Sequence, residues 1–180
     1  MNKIILKFIA IVSFLLFVQI ANAQQIANID NVVERGDEYA KNKNYEKAIE
    51  CYIEALKNDP DNAQTHYNLG VVYGKQGIWE NAIKEYEKVL EINPGYFNAY
   101  YNLGIAYGNI EKWEMSFVAF SKLVKLQPKD SYAHYNLALV SIMLDKKEIT
   151  EKEYKILEKL APYLAIKIES IINKTGLNIV

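Results

Sequence analysis

Thr65-His66-Tyr67-Asn68-Leu69-Gly70-Val71-Val72-Tyr73 decides the fold, because it returns. Tyr100-Tyr101-Asn102-Leu103-Gly104-Ile105-Ala106-Tyr107 repeats it 34 residues later, and His134-Tyr135-Asn136-Leu137-Ala138 repeats it after another 34. Pro60, Pro94, Pro128 and Pro162 keep the same interval and are the chain's only prolines. Self-similarity at one fixed period predicts a stack of helix–turn–helix units. Each unit is too small to bury its apolar face alone, so the face is buried against neighbours.

Working outward from that stretch, units two and three occupy about 63–96 and 97–130. Gly70 and Gly104 fall mid-helix, where glycine costs about 1 kcal/mol relative to alanine. A cost incurred twice in the same place predicts a close approach between the two helices of a unit. Ala82 and Ser116 supply the small partner on the second helix, with Tyr86 and Phe120 beyond it and Tyr73 and Tyr107 covering it. Trp79 and Trp113 follow each turn and read as core, as does Tyr45 in the same slot of unit one. Unit one spans about 29–62, with helices expected over 30–42 and 45–58; Pro60 lacks an N–H and ends the second. Unit four, about 131–164, is more divergent. There Ala138 replaces the glycine, Ser141 the tyrosine and Thr150 the small alanine. Beyond Pro162, residues 163–173 predict a capping helix with Leu164, Ile168, Ile171 and Ile172 inward, then a short apolar tail to Val180. A stack needs such an end piece to cover its last apolar flank.

Residues 1–23 read as an address rather than fold. Lys3 and Lys7 precede an apolar run from Phe8 to Ile20, and Ala21-Asn22-Ala23 ends it in the small–x–small form of a signal-peptidase site. A 13-residue helix is roughly 20 Å long against about 30 Å of hydrocarbon, short for a permanent span. The expectation is export with cleavage after Ala23, to the periplasm or envelope of a bacterium, and a short linker over 24–28; an uncleaved anchor is the alternative. Removal of Lys3 and Lys7 from the 21 basic residues leaves 19 against 22 acidic ones, near −3.

Composition excludes more than it selects. A net charge of −1 provides no field for nucleic acid, and two dispersed histidines with one cysteine form no zinc site or disulfide framework. Cys51 lies within an apolar helical pattern and reads as a buried thiol. His66 and His134 fall two units apart, too far to share an ion, and are expected to pack at unit junctions. No glycine-rich phosphate loop and no nucleophile–base set is present, so neither catalysis nor a cofactor is expected. Tyrosine, at 14 of 180 residues, is the compositional oddity.

His66-x-x-Leu69-Gly70-x-x-Tyr73 with Ala82, Tyr86 and Pro94 resembles the tetratricopeptide repeat, as does Tyr100-x-x-Leu103-Gly104-x-x-Tyr107 with Ser116, Phe120 and Pro128. The resemblance covers about 29–164 and implies an all-α, right-handed α-solenoid that holds a peptide or partner helix in the concave groove lined by its first helices. Spacing of four puts Tyr67 with Val71, Tyr101 with Ile105, and Tyr135 with Leu139 on that side. Gly74 and Gly108 continue it without bulk, leaving room, and Lys41, Lys75 and Asn109 follow. Asn68, Asn102 and Asn136 form a ladder beside it, and the resemblance implies that such asparagines can hold a ligand's backbone. The family's carboxylate clamp is not implied, because Val33, Tyr67 and Tyr101 stand where its first lysine is expected. The expected function is an exported scaffold for a protein partner. The alternative is a structural subunit of an envelope assembly or homo-oligomer.

Overall fold

A computed structural model describes residues 3–175. Among them the chain forms nine helices: α1 (Lys3–Lys41), α2 (Tyr45–Asn58), α3 (Ala63–Lys75), α4 (Trp79–Ile92), α5 (Phe97–Asn109), α6 (Trp113–Leu126), α7 (Ser131–Met143), α8 (Lys147–Leu160) and α9 (Pro162–Thr175). Helices α3, α5 and α7 begin 34 residues apart, as do α2, α4, α6 and α8. The paired helices α1–α2, α3–α4, α5–α6 and α7–α8 stack in chain order, with α9 against α7 and α8.

The turn inside each pair closes the same way four times. The N–H groups of Asn44, Ile78, Lys112 and Lys146 donate to the carbonyls of Tyr39, Tyr73, Tyr107 and Ser141 at 2.8–2.9 Å. The preceding residue adopts positive φ: Lys43 at 60°, Gly77 at 73°, Glu111 at 59° and Asp145 at 51°. These are Schellman closures, which satisfy the last helical carbonyls and favour glycine at the left-handed position. Only the second unit supplies one.

Inside each pair a ring lies against backbone. A Cβ on Gly36, Gly70 or Gly104 would stand 2.7 Å from Tyr52, Tyr86 or Phe120 respectively. This is the close approach the glycines predict. Ser116, fully buried, donates its hydroxyl to the Gly104 carbonyl at 2.7 Å. In unit four Ala138 carries the Cβ that the other units omit, and Tyr154, the counterpart of Phe120, is left half-buried. The end of the stack is closed as expected: Leu164, Ala165 and Ile168 of α9 join Ala138 and Leu157 in one apolar cluster, with Ile171 and Ile172 packed on it. Gly176 and the Leu177–Val180 tail lie outside the described residues. Cys51 is buried and free.

The structure departs from expectation at the N-terminal end. Residues 24–28, expected as linker, are helical, and the first helix of unit one is the last part of the 39-residue α1. The physical reason is local: Gln24 to Asp30 contains no glycine or proline to break a helix. Along α1, eight large apolar side chains between Ile11 and Ile20 are 37–70% exposed, so this segment adds nothing to the array's core. Among the residues whose side chains are described, no helix is long and apolar enough to cross a membrane.

Candidate functional site

The inner face is built by α1, α3, α5 and α7, and its eleven candidate residues separate into two groups. Tyr67, Asn68, Tyr101 and Tyr135 are structural ties. Tyr67 is half-buried with its ring 5.0 Å from Tyr96 and 6.0 Å from Tyr86, and its hydroxyl accepts from the Asn102 amide at 3.1 Å. Burial pushes the Tyr67 phenol up, so it stays neutral. Tyr101 meets Phe120 edge-on at 6.1 Å, and Tyr135 packs on the α7–α8–α9 cluster. Asn68 reaches back one unit and donates to the Asp37 carboxylate at 2.9 Å, which also accepts from the Tyr52 hydroxyl at 2.6 Å.

The other seven line two cavities. Val71, Gly74, Lys75 and Asn102 border a cavity of about 190 Å³ between α3, α4 and α5, closed by Trp79, Tyr86 and Ile105. Ile105, Gly108, Asn109 and Asn136 border one of about 250 Å³ between α5, α6 and α7, closed by Trp113, Phe120 and Leu139. Adding 34 to each residue number of the first set gives the second set, so the two are one socket repeated. Ile105 belongs to both and forms the wall between them.

Glycine makes these sockets. A Cβ on Gly74 would sit 3.5 Å from Trp79 and 3.6 Å from the Tyr86 hydroxyl; one on Gly108 would sit 3.7 Å from Trp113 and from Ser116 Oγ. Those are ordinary contacts, so neither glycine answers a packing demand. Each leaves space where a side chain would project into the opening. Toward the N-terminus the equivalent positions of Gly74 and Val71 hold Ala40 and Asp37. Toward the C-terminus it holds Ile142, 7% exposed in the core. Among the described residues, this socket is repeated at the two middle junctions.

Size and charge decide what such sockets accept. Pockets that enclose small molecules run to roughly 300–1,000 Å³. At about 190 and 250 Å³ these are suited to a single large side chain each. The first carries the exposed Lys75 at its rim and the Tyr86 hydroxyl in its floor. Burial holds the Tyr86 phenol far above the ordinary tyrosine range, so it remains a neutral donor. The second replaces these by Asn109 and Phe120, and adds Val140 and Met143. Among the described ion pairs Lys75 takes part in none.

Family models fit this architecture. One described as TPR repeat matches residues 36–77 and 75–110, and one described as tetratricopeptide repeat matches 97–130. The chain belongs to the tetratricopeptide repeat family. Among solved structures similar to this tetratricopeptide chain, a MamA crystal structure is 24% identical, with TM-score 0.76 and 83% of each chain covered. A MamA structure from Desulfovibrio magneticus RS-1 is 24% identical, with TM-score 0.69, over 75% of this chain and 76% of that one. The first TPR of Spaghetti (RPAP3), bound to the HSP90 peptide SRMEEVD, is 25% identical, with TM-score 0.62, over 65% of this chain and 93% of that one. Among curated proteins none matches.

The array also contains a feature that reading the sequence missed. His66 and His134, expected at unit junctions, each pair inside their own unit with a carboxylate 19 residues on, and only their second ring nitrogen reaches the connection from the preceding unit. His66 Nδ1 is 2.6 Å from Glu85, and its Nε2 is 3.0 Å from the Pro60 carbonyl. His134 pairs with Glu153, and its Nε2 is 3.0 Å from the Pro128 carbonyl. Glu153 is 2% exposed. The available signal was the coincidence of His and Glu at one interval in units two and four, with Tyr100 and Ala119 replacing both in unit three.

Proposed function

We propose that this protein is an exported scaffold that holds an extended segment of a partner polypeptide along the inner face of its tetratricopeptide array, a binding role and not a catalytic one. The repeated side-chain socket carries this reading: two openings at equivalent positions, one unit apart, suit the side chains of a chain laid across the helices. Support also comes from the RPAP3 structure, which holds a peptide. Recognition of an extended segment through successive side-chain pockets is an established mode of peptide capture. Export rests on the basic start, the apolar run and Ala21-Asn22-Ala23, together with a segment whose apolar side chains the array does not bury.

Two measurements test the proposal. Affinity capture from an envelope fraction should recover partners with the natural protein and lose them when Gly74 and Gly108 are both replaced by leucine. Retention of the same partners would place binding elsewhere. Terminal sequencing of the protein recovered from cells should begin at Gln24, and a chain that still begins at Met1 would refute cleavage. Sedimentation independent of concentration is expected for a monomeric binder; self-association would favour the structural-subunit reading.

A further inference from the structure

The two sockets match in backbone but not in chemistry, and the mismatch specifies a ligand. Passing from the first to the second, Lys75 becomes Asn109 and Tyr86 becomes Phe120, so an ammonium and a phenol donor give way to an amide and a bare ring. Val140 and Met143 extend the second opening with further apolar surface, and Met143 is 57% exposed. The inner face carries the opposite sign only one unit before, at Asp37, where Tyr52 and Asn68 already hold the carboxylate. Lys75, without an ion pair among those described, and the Tyr86 hydroxyl, beside Asn102, can both donate into the first socket.

Resting on the groove reading above, we propose that the bound segment is an extended polypeptide carrying an acidic side chain and a large apolar side chain three residues apart. The carboxylate enters the socket of Lys75 and Tyr86, and the apolar group enters that of Phe120, Leu139 and Met143. Charge complementarity selects the first group: a carboxylate accepts from an ammonium and a hydroxyl together, whereas the Lys75 ammonium repels a lysine or arginine. The spacing follows from the stack. Neighbouring packed helices lie about 8–10 Å apart, and α3 and α5 are adjacent along the inner face, in direct contact and tied by the Asn102–Tyr67 hydrogen bond. A polyproline-type strand advances about 3.1 Å per residue with three residues per turn. Side chains three apart therefore point the same way across about 9 Å.

The test uses fluorescence anisotropy of the full-length protein with labelled ten-residue peptides in a serine and proline background. Each carries one Glu and one Leu, in both orders, at spacings of two, three or five. One order at spacing three should bind tightest. Changing the peptide's Glu to Gln should weaken it about fivefold, and changing its Leu to Ala at least tenfold. Lys75→Glu should exchange the preference, so that a Lys-bearing peptide overtakes the Glu-bearing one. Gly108→Ala, which the fold accommodates, should weaken only peptides that carry the leucine. If the leucine peptides bind and respond to Gly108→Ala while Glu and Gln are equivalent, the groove stands and the carboxylate assignment falls. If spacing makes no difference, the paired-socket geometry falls. If no peptide binds above the scrambled control, the groove reading falls with it.

Discussion

Alanine at Gly104 and at Gly108 should move stability in opposite directions, although both glycines lie on α5 one turn apart. At either position alanine gains helix propensity of about 1 kcal/mol and loses unfolded-state entropy. At Gly108 nothing opposes that gain, since the new Cβ meets Ser116 and Trp113 at 3.7 Å. At Gly104 the new Cβ would stand 2.7 Å from Phe120 Cε2 and Cζ, and Phe120 is only 2% exposed. To make room the ring would have to leave its packed position for the socket it borders, and overpacking a core costs about 1–3 kcal/mol. Gly108→Ala should therefore stabilise by about 0.5–1 kcal/mol and Gly104→Ala should destabilise by up to about 2 kcal/mol. For a chain of this size each kcal/mol is about 2–4 °C of melting temperature. Thermal melts followed by circular dichroism should show the variants displaced to either side of the natural protein, and Gly74→Ala and Gly70→Ala should repeat the pattern one unit earlier. Melts that shift the same way for Gly104→Ala and Gly108→Ala would refute the division between packing glycines and socket glycines.

Other consequences follow from the turns and the buried ion pair. Glu111→Gly and Asp145→Gly should each stabilise by about 0.5–1 kcal/mol, because a side chain at left-handed φ is strained there and glycine is not; Gly77→Ala should cost about as much, and chemical denaturation measures all three. His134→Ala should cost about 3–5 kcal/mol, since it leaves the Glu153 carboxylate buried and unpaired; His66→Ala should cost less, about 1–2 kcal/mol, in a pair that is 12% and 22% exposed. The hydrogen bond to Glu153, opposed by burial and helped by the Pro128 carbonyl and Asp130, raises the His134 pKa above its ordinary 6.5. That contribution is complete below about pH 6.5 and is lost as pH rises through the raised value. Melting temperature should therefore fall with rising pH above about 6.5 in the natural protein and show a weaker slope in His134→Ala.

Legibility differed sharply between fold and site, for a physical reason. The period and the proline stops return in every unit, and Gly70 and Gly104 answer a close approach shared by the first three, so they recur and can be read. The placement of Tyr67 and Asn68 was not readable in that way. Helical spacing puts both on the inner face correctly, but whether a residue there awaits a ligand depends on its neighbour in the next unit. Asn68 finds Asp37 and Tyr67 finds Asn102, across 31 and 35 residues. Gly74 and Gly108 were legible as room, whereas the share of Trp79, Trp113 and Met143 in that room was not. An indole that packs on the core with one edge lines an opening with the other, and only coordinates distinguish the edges.

The socket pair also shows where an array of near-identical units acquires a particular ligand. A perfect repeat would present one socket at every junction and bind any chain with evenly spaced side chains in any register. Here the equivalent positions of the outer junctions differ, with Asp37 held by two donors at one end and Ile142 in the core at the other. The two open sockets then differ at Lys75 against Asn109 and at Tyr86 against Phe120. The mismatch fixes which side chain goes where. Because register depends on that mismatch, a double variant Asn109→Lys with Phe120→Tyr would equalise the sockets. It should bind a peptide carrying two acidic residues three apart, while losing its discrimination between the two orders of the mixed peptide. Continued preference for one order in that variant would mean that register is set outside the sockets, by the ties at Asn68 and Asn102 or by the rim.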